Sequence, residues 1–154
     1  MSLRGDSGWE SSGVANGWGE AAGSDEQATD DLLKDLEDVD PSVRLSALRA
    51  LKRLLAREGA VRRLCGELAS SASRRRRASL QALAQLEAVE AGSEVWRLAD
   101  DPDPEVRLSL LRSANALLVD PEPLVRYMST DPDPLVRESA QEWRRKLPSA
   151  VTSS

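Results

Sequence analysis

Four consecutive arginines, Arg74 to Arg77, are the densest block of reactive side chains in this 154-residue chain. Guanidinium groups recognise carboxylates and phosphates through paired hydrogen bonds, so the run nominates an anion-binding site. Arg49 and Arg53 add two bases four residues apart upstream. Acidic residues also come in pairs, Asp101 with Asp103 and Asp131 with Asp133, each inside an Asp-Pro-Asp-Pro string. Turn formation and helix capping account for them, and no further oxygen ligands follow at the spacing of a calcium loop. Histidine is absent and Cys65 is the only cysteine. That removes the usual general base, any Cys/His nucleophile pair and any His-dependent triad. One thiol cannot build a zinc thiolate site, and no glycine-rich phosphate loop is present. The expectation is a non-enzyme with no catalytic residues, no metal and no cofactor.

The elements that must position these groups are read from a recurring string. Asp40-Pro41-Ser42-Val43-Arg44, Asp103-Pro104-Glu105-Val106-Arg107 and Asp133-Pro134-Leu135-Val136-Arg137 are near-copies; the last two lie 30 residues apart and the first two 63 apart, close to two periods. A fixed period of this size marks stacked repeats. Each string suits a helix start: Asp caps the first-turn N–H groups and Pro occupies the first helical position. Apolar stripes at steps of three and four follow, Val43, Ala47, Leu48, Leu51, Leu54 and Leu55 in the first copy, then Val106, Leu110, Leu111, Ala114, Leu117 and Leu118 in the third. The last copy thins to Val136, Ala140, Trp143 and Leu147. A weaker second copy is located by offset over Ser73 to Ala88, with Ser73 as cap and the arginine run in place of the motif. Shorter apolar segments precede the long helices: Leu32, Leu33, Leu36; Val61, Leu64, Cys65, Leu68; Val95, Trp96, Leu98; and Leu124, Val125, Met128. Cys65 lies on its stripe and reads as core. Gly59 and Gly92 are placed to end long helices in the left-handed conformation. The pattern is short helix, turn, long helix, four times.

With its Asp-Pro-x-Val-Arg motif, Leu/Ala stripe and period near 31, the chain resembles the short HEAT-like repeat found in phycobilisome lyases, over about residues 28 to 148. The resemblance implies an all-α fold, an α-solenoid (superhelix) of about four helix pairs spanning 28–58, 60–90, 93–119 and 121–148. It also implies a ladder between neighbouring repeats, carried onto Asp40, Asp103 and Asp133 with Arg44, Arg107 and Arg137, interrupted or rebuilt at the second repeat. Bilin lyases are the nearest enzymatic likeness, and a lyase- or chaperone-like accessory subunit is the minor reading it allows; a fold alone does not transfer activity.

Residues 1–27 are rich in Gly, Ser and acids without apolar periodicity, and are expected to be disordered, as are 149–154. Trp9 and Trp18 stand out there as partner anchors, and their Gly-Trp setting resembles the Trp hooks that dock on Argonaute proteins. No apolar run reaches membrane-spanning length and no signal-peptide core is visible, so a cytoplasmic protein is expected, consistent with a single cysteine. Charge divides into blocks: residues 1–40 carry 11 acids and 2 bases, 41–79 carry 2 acids and 11 bases, and 80–154 carry 13 acids and 8 bases. The basic block suits an acidic or helical protein surface held by Arg49, Arg53 and Arg74 to Arg77, in the manner of a scaffold or adaptor. The alternative is nucleic-acid phosphate. The acidic tail could itself cover the basic half. Arg76-Arg77-Ala78-Ser79 also resembles a basophilic kinase site, set unfavourably inside a helix.

Overall fold

The computed structural model describes residues 14–147, with side chains from Ser24 onward. Trp9 and residues 149–154 lie outside the described residues, and Trp18 falls where only the backbone is described. All regular secondary structure among the described residues is helical, with no strand among them. Contacts divide the chain into two units, residues 1–56 and 57–154.

The first unit holds α1 (Val14–Asp35) and the leading part of α2 (Pro41–Glu67). The helix α1 thus begins ahead of residue 28, where the first repeat was expected to start. It buries Leu33, the turn after it buries Leu36, and α2 buries Ala47, Leu48 and Leu51. Thr29 is also buried, its hydroxyl donating to the Asp25 carbonyl one turn back at 2.8 Å. Leu54, expected on the apolar stripe, is 37% exposed. The α2 backbone breaks at Ala56, whose φ of 61° and ψ of 170° are not helical. The break coincides with the boundary between units, three residues ahead of Gly59.

In the second unit the remainder of α2 is followed by α3 (Ser73–Gln85), α4 (Gly92–Trp96) between two 3₁₀ turns, α5 (Pro104–Leu117), α6 (Glu122–Met128) and α7 (Pro134–Lys146). The long helices pack in succession, α3 on α5 and α5 on α7, while α6 packs on α7. Their stripes supply the core: Leu80 and Leu83 from α3, Val106, Leu110, Leu111, Ala114 and Leu117 from α5, Val136 and Ala140 from α7. Short segments complete it with Leu64, Val95, Leu124 and Met128. Each such leucine is worth about 1.5–3 kcal/mol on burial, so the stripes, rather than local propensity, hold these short helices together. Cys65 is half-buried at the edge, and desolvation, ahead of Glu94 and Glu90, raises its thiol pKa.

Two expected caps are corrected. Gly59 lies within α2, and Gly92 is right-handed (φ −54°) at the start of α4. The left-handed residue ending α3 is Glu87 (φ 50°), inside a Schellman arrangement in which Ala88 N–H reaches the Leu83 carbonyl and Glu87 N–H that of Ala84. Ser73 is the first helical residue of α3, and the extended cap position belongs to Ala72, which has no capping side chain.

Candidate interaction surfaces

Four helices, α2, α3, α5 and α7, are entered through the same turn. The side chain two residues ahead of the cap accepts from the cap's own N–H: Asp38 from Asp40 at 2.8 Å, Ser70 from Ala72 at 3.2 Å, Asp101 from Asp103 at 2.9 Å and Asp131 from Asp133 at 2.9 Å. Four residues after the cap, an arginine folds back so that Nη1 donates to the carbonyl at that same leading position. Arg44 reaches Asp38 at 2.8 Å, Arg76 reaches Ser70 at 2.9 Å, Arg107 reaches Asp101 at 2.6 Å and Arg137 reaches Asp131 at 2.9 Å. Arg76, from the middle of the arginine run, is therefore the second copy's equivalent of the motif arginine.

Asp40, Asp103 and Asp133 act as caps. Asp40 accepts from Ser42, Asp103 from Glu105, and Asp133 from Leu135 and Val136. Donation from the Ser42 N–H and hydroxyl lowers the Asp40 pKa. The Glu105 N–H, followed by the Ser73 hydroxyl, lowers that of Asp103. Lowered values are what a carboxylate receiving helix-terminal N–H groups should show.

The acids facing the arginines across repeats are not these caps but the residues two places ahead of them. Arg76 makes a two-pronged pair with Asp101, Nε to Oδ2 at 2.7 Å and Nη2 to Oδ1 at 2.8 Å. Arg107 does the same with Asp131, both distances 2.9 Å. These side chains are sequestered, 12% and 3% exposed in the first pair and 11% and 6% in the second. Hydrogen bonding to the partner carboxylate raises the pKa of both arginines. The expected ladder residues Asp103 and Asp133 hold the helix starts instead, because a carboxylate bound to its own helix's first-turn N–H groups points along that helix. Of the motif arginines only Arg107 has such a partner among the described residues; Arg44 and Arg137 bond to carbonyls. The second repeat keeps the ladder through Arg76. The missed signal was the leading Asp of each Asp-Pro-Asp-Pro string.

The arginine run is thus divided among directions, as successive helical residues must be. Arg76 is directed inward, Arg75 pairs with Glu67 at 3.1 Å and Arg77 with Glu105 at 3.5 Å. Arg74 is exposed and has no ion-pair partner among the described residues. Arg57, also outside the run, bonds Glu90 and the Leu86 carbonyl near the end of α3.

A different basic face lies on α2 in the first unit. Arg49 and Arg53 are one turn apart, with Lys52 beside them, and all three are exposed with no ion-pair partner among the described residues. Leu45, 40% exposed, continues this face by one turn. Lys52 was not singled out by the sequence reading, although its spacing from Arg49 is helical. Among the described residues no three potential metal ligands cluster, and no helix is long and apolar enough to cross a membrane. No protein-family model and no curated protein matches the chain.

Proposed function

We propose that this chain is a HEAT-like α-solenoid working as a non-catalytic binding module, an adaptor that holds an acidic protein partner on the basic face of α2. Support for the repeat assignment comes from the four-fold recurrence of the entry turn and the successive packing of α3, α5 and α7. The observation that carries the binding reading is a contrast in charge use. Arg75, Arg76 and Arg77 are engaged within the second unit, whereas Arg49, Lys52 and Arg53 present three like charges to solvent. Like charges one turn apart destabilise a helix slightly, by a few tenths of a kcal/mol, and an anionic partner removes that penalty. The exposed Leu45 beside them gives a protein partner an apolar contact that a phosphate backbone would not use.

The test compares the full chain with R49E/R53E, titrating a labelled acidic peptide and a labelled single-stranded oligonucleotide. The expected result is peptide binding that weakens at least tenfold in the variant, with the oligonucleotide binding more weakly than the peptide. Oligonucleotide binding that is tighter, and that falls steeply between about 50 and 200 mM salt, replaces the adaptor reading with nucleic-acid binding. Unchanged titrations in the variant reject the α2 face altogether.

A further inference from the structure

A second surface, of opposite character, opens in the second unit. Asp100, Tyr127, Thr130 and Pro132 border a cleft of ≈ 270 Å³ whose floor includes Arg107 and Asp131. That volume falls below the range of about 300–1,000 Å³ usual for small-molecule pockets, so the cleft suits one side chain rather than a cofactor.

The floor is electrically closed. Arg107 binds both Asp131 oxygens and the Asp101 carbonyl, and Asp131 also receives the Asp133 N–H. The rim is not. Asp100 is exposed and takes the Tyr127 hydroxyl as donor, but has no cationic partner among the described residues. Hydrogen bonding to Asp100, then its charge, raises the Tyr127 pKa, so the phenol stays a neutral donor. Tyr127 is 52% exposed, an unusual placement for the only tyrosine of a chain without phenylalanine. Its ring is held against Trp96, with centroids 6.3 Å apart and planes tilted by 58°. A carboxylate without a counter-charge, an anchored and exposed aromatic ring, a threonine hydroxyl and a one-side-chain cleft converge on one chemistry. A planar cation can pair with the carboxylate through two N–H groups while lying against the ring.

We propose that this cleft is a docking site for an arginine side chain of a partner protein, with Asp100 receiving the guanidinium and Tyr127 stacking on it. The site shares no residue with the basic face of α2, and each is tested by its own variants. A partner satisfying both would present an acidic patch and a separate arginine.

The probe is N-acetyl-arginine amide, with N-acetyl-lysine amide for comparison, titrated into the full chain and followed by amide NMR shifts. Saturable shifts confined to Asp100, Tyr127 and Thr130 are expected, tighter for arginine than for lysine. Asp100→Asn should weaken arginine binding about tenfold, the worth of one charge-assisted pair. Tyr127→Leu should weaken it less while keeping a side chain against Trp96; unchanged amide spectra away from the cleft certify the fold of both variants. Equal affinity for the two probes would overturn the stacking role, and identical titrations of wild type and Asp100→Asn would overturn the site. If the same shifts arise without probe as protein concentration rises, and vanish in R49E/R53E, the occupant is a second copy of this chain and the partner-protein assignment falls.

Discussion

Removing either member of the Arg76–Asp101 pair should destabilise the second unit far more than removing the neighbouring Arg74, although the two arginines stand two residues apart in one run. The arginine donates three hydrogen bonds, two to Asp101 and one of 2.9 Å to the Ser70 carbonyl, and its side chain is 12% exposed. Asp101, 3% exposed, also receives the Asp103 N–H that sets the start of α5. Truncating one member strands the other's charge in the interior, at a cost of about 3–5 kcal/mol. That is a large share of the 5–15 kcal/mol typical of a folded domain. At about 4–8 °C per kcal/mol for a unit of this size, Tm should fall by roughly 12–40 °C in Arg76→Ala or Asp101→Ala. Arg74→Ala, at an exposed site, should stay within about 0.5 kcal/mol of wild type. The double variant R76M/D101N removes both charges and keeps an acceptor for the Asp103 N–H, so it should cost less than either alanine variant. Urea unfolding, followed by helical circular dichroism and by tryptophan fluorescence, measures all five proteins. Equal losses in Arg76→Ala and Arg74→Ala would refute the reasoning, because Arg76 would then be a surface charge.

Three further outcomes follow from the same geometry. Glu87→Gly should stabilise the chain by about 0.5–1 kcal/mol in a thermal melt, because Glu87 holds a left-handed conformation (φ 50°) that glycine takes without penalty. Ser79→Ala should be neutral or stabilising, by up to about 1 kcal/mol, since the Ser79 hydroxyl is buried with no hydrogen-bond partner among the described residues; because it is buried, a basophilic kinase should fail to phosphorylate the folded chain at Ser79. Asp103 has a folded pKa lowered below the ordinary aspartate value of 3.8, so its contribution is complete above that value and disappears as pH falls through the folded one. The stability gap between wild type and Asp103→Ala, about 1 kcal/mol near pH 7, should therefore narrow below about pH 4 in acid titrations followed by circular dichroism.

Much of the helical layout was legible because it rests on periodicity. Every residue of the stripe from Val106 to Leu118 is buried, and Asp103 and Asp133 cap where the Asp-Pro pairs place them. Helix ends were less legible. Glycine marks a left-handed end only when local propensity decides it; here Ala56 and Glu87 take the positive-φ positions while Gly59 and Gly92 do not. The packing of the segments on either side dictates where the chain bends, and a cost of about 1–3 kcal/mol at one residue is outweighed by several buried leucines.

The arginine run shows why composition misleads about surfaces. Four adjacent guanidinium groups look like one basic patch, but their fates follow from distance to the cap, not from neighbours in sequence. Arg76 stands four residues after Ala72, as Arg107 stands four after Asp103, and that register carries it inward to an aspartate 25 residues later. The loss of the Asp-Pro pair disguised the register, because Ala72 and Ser73 hold the same positions with different side chains. Reading the repeat first, and the charge second, assigns Arg76 to the interior and moves the search for a binding surface to Arg49, Lys52 and Arg53. On α2 the same arithmetic of three and four residues places those charges side by side, with no carboxylate among the described residues to meet them.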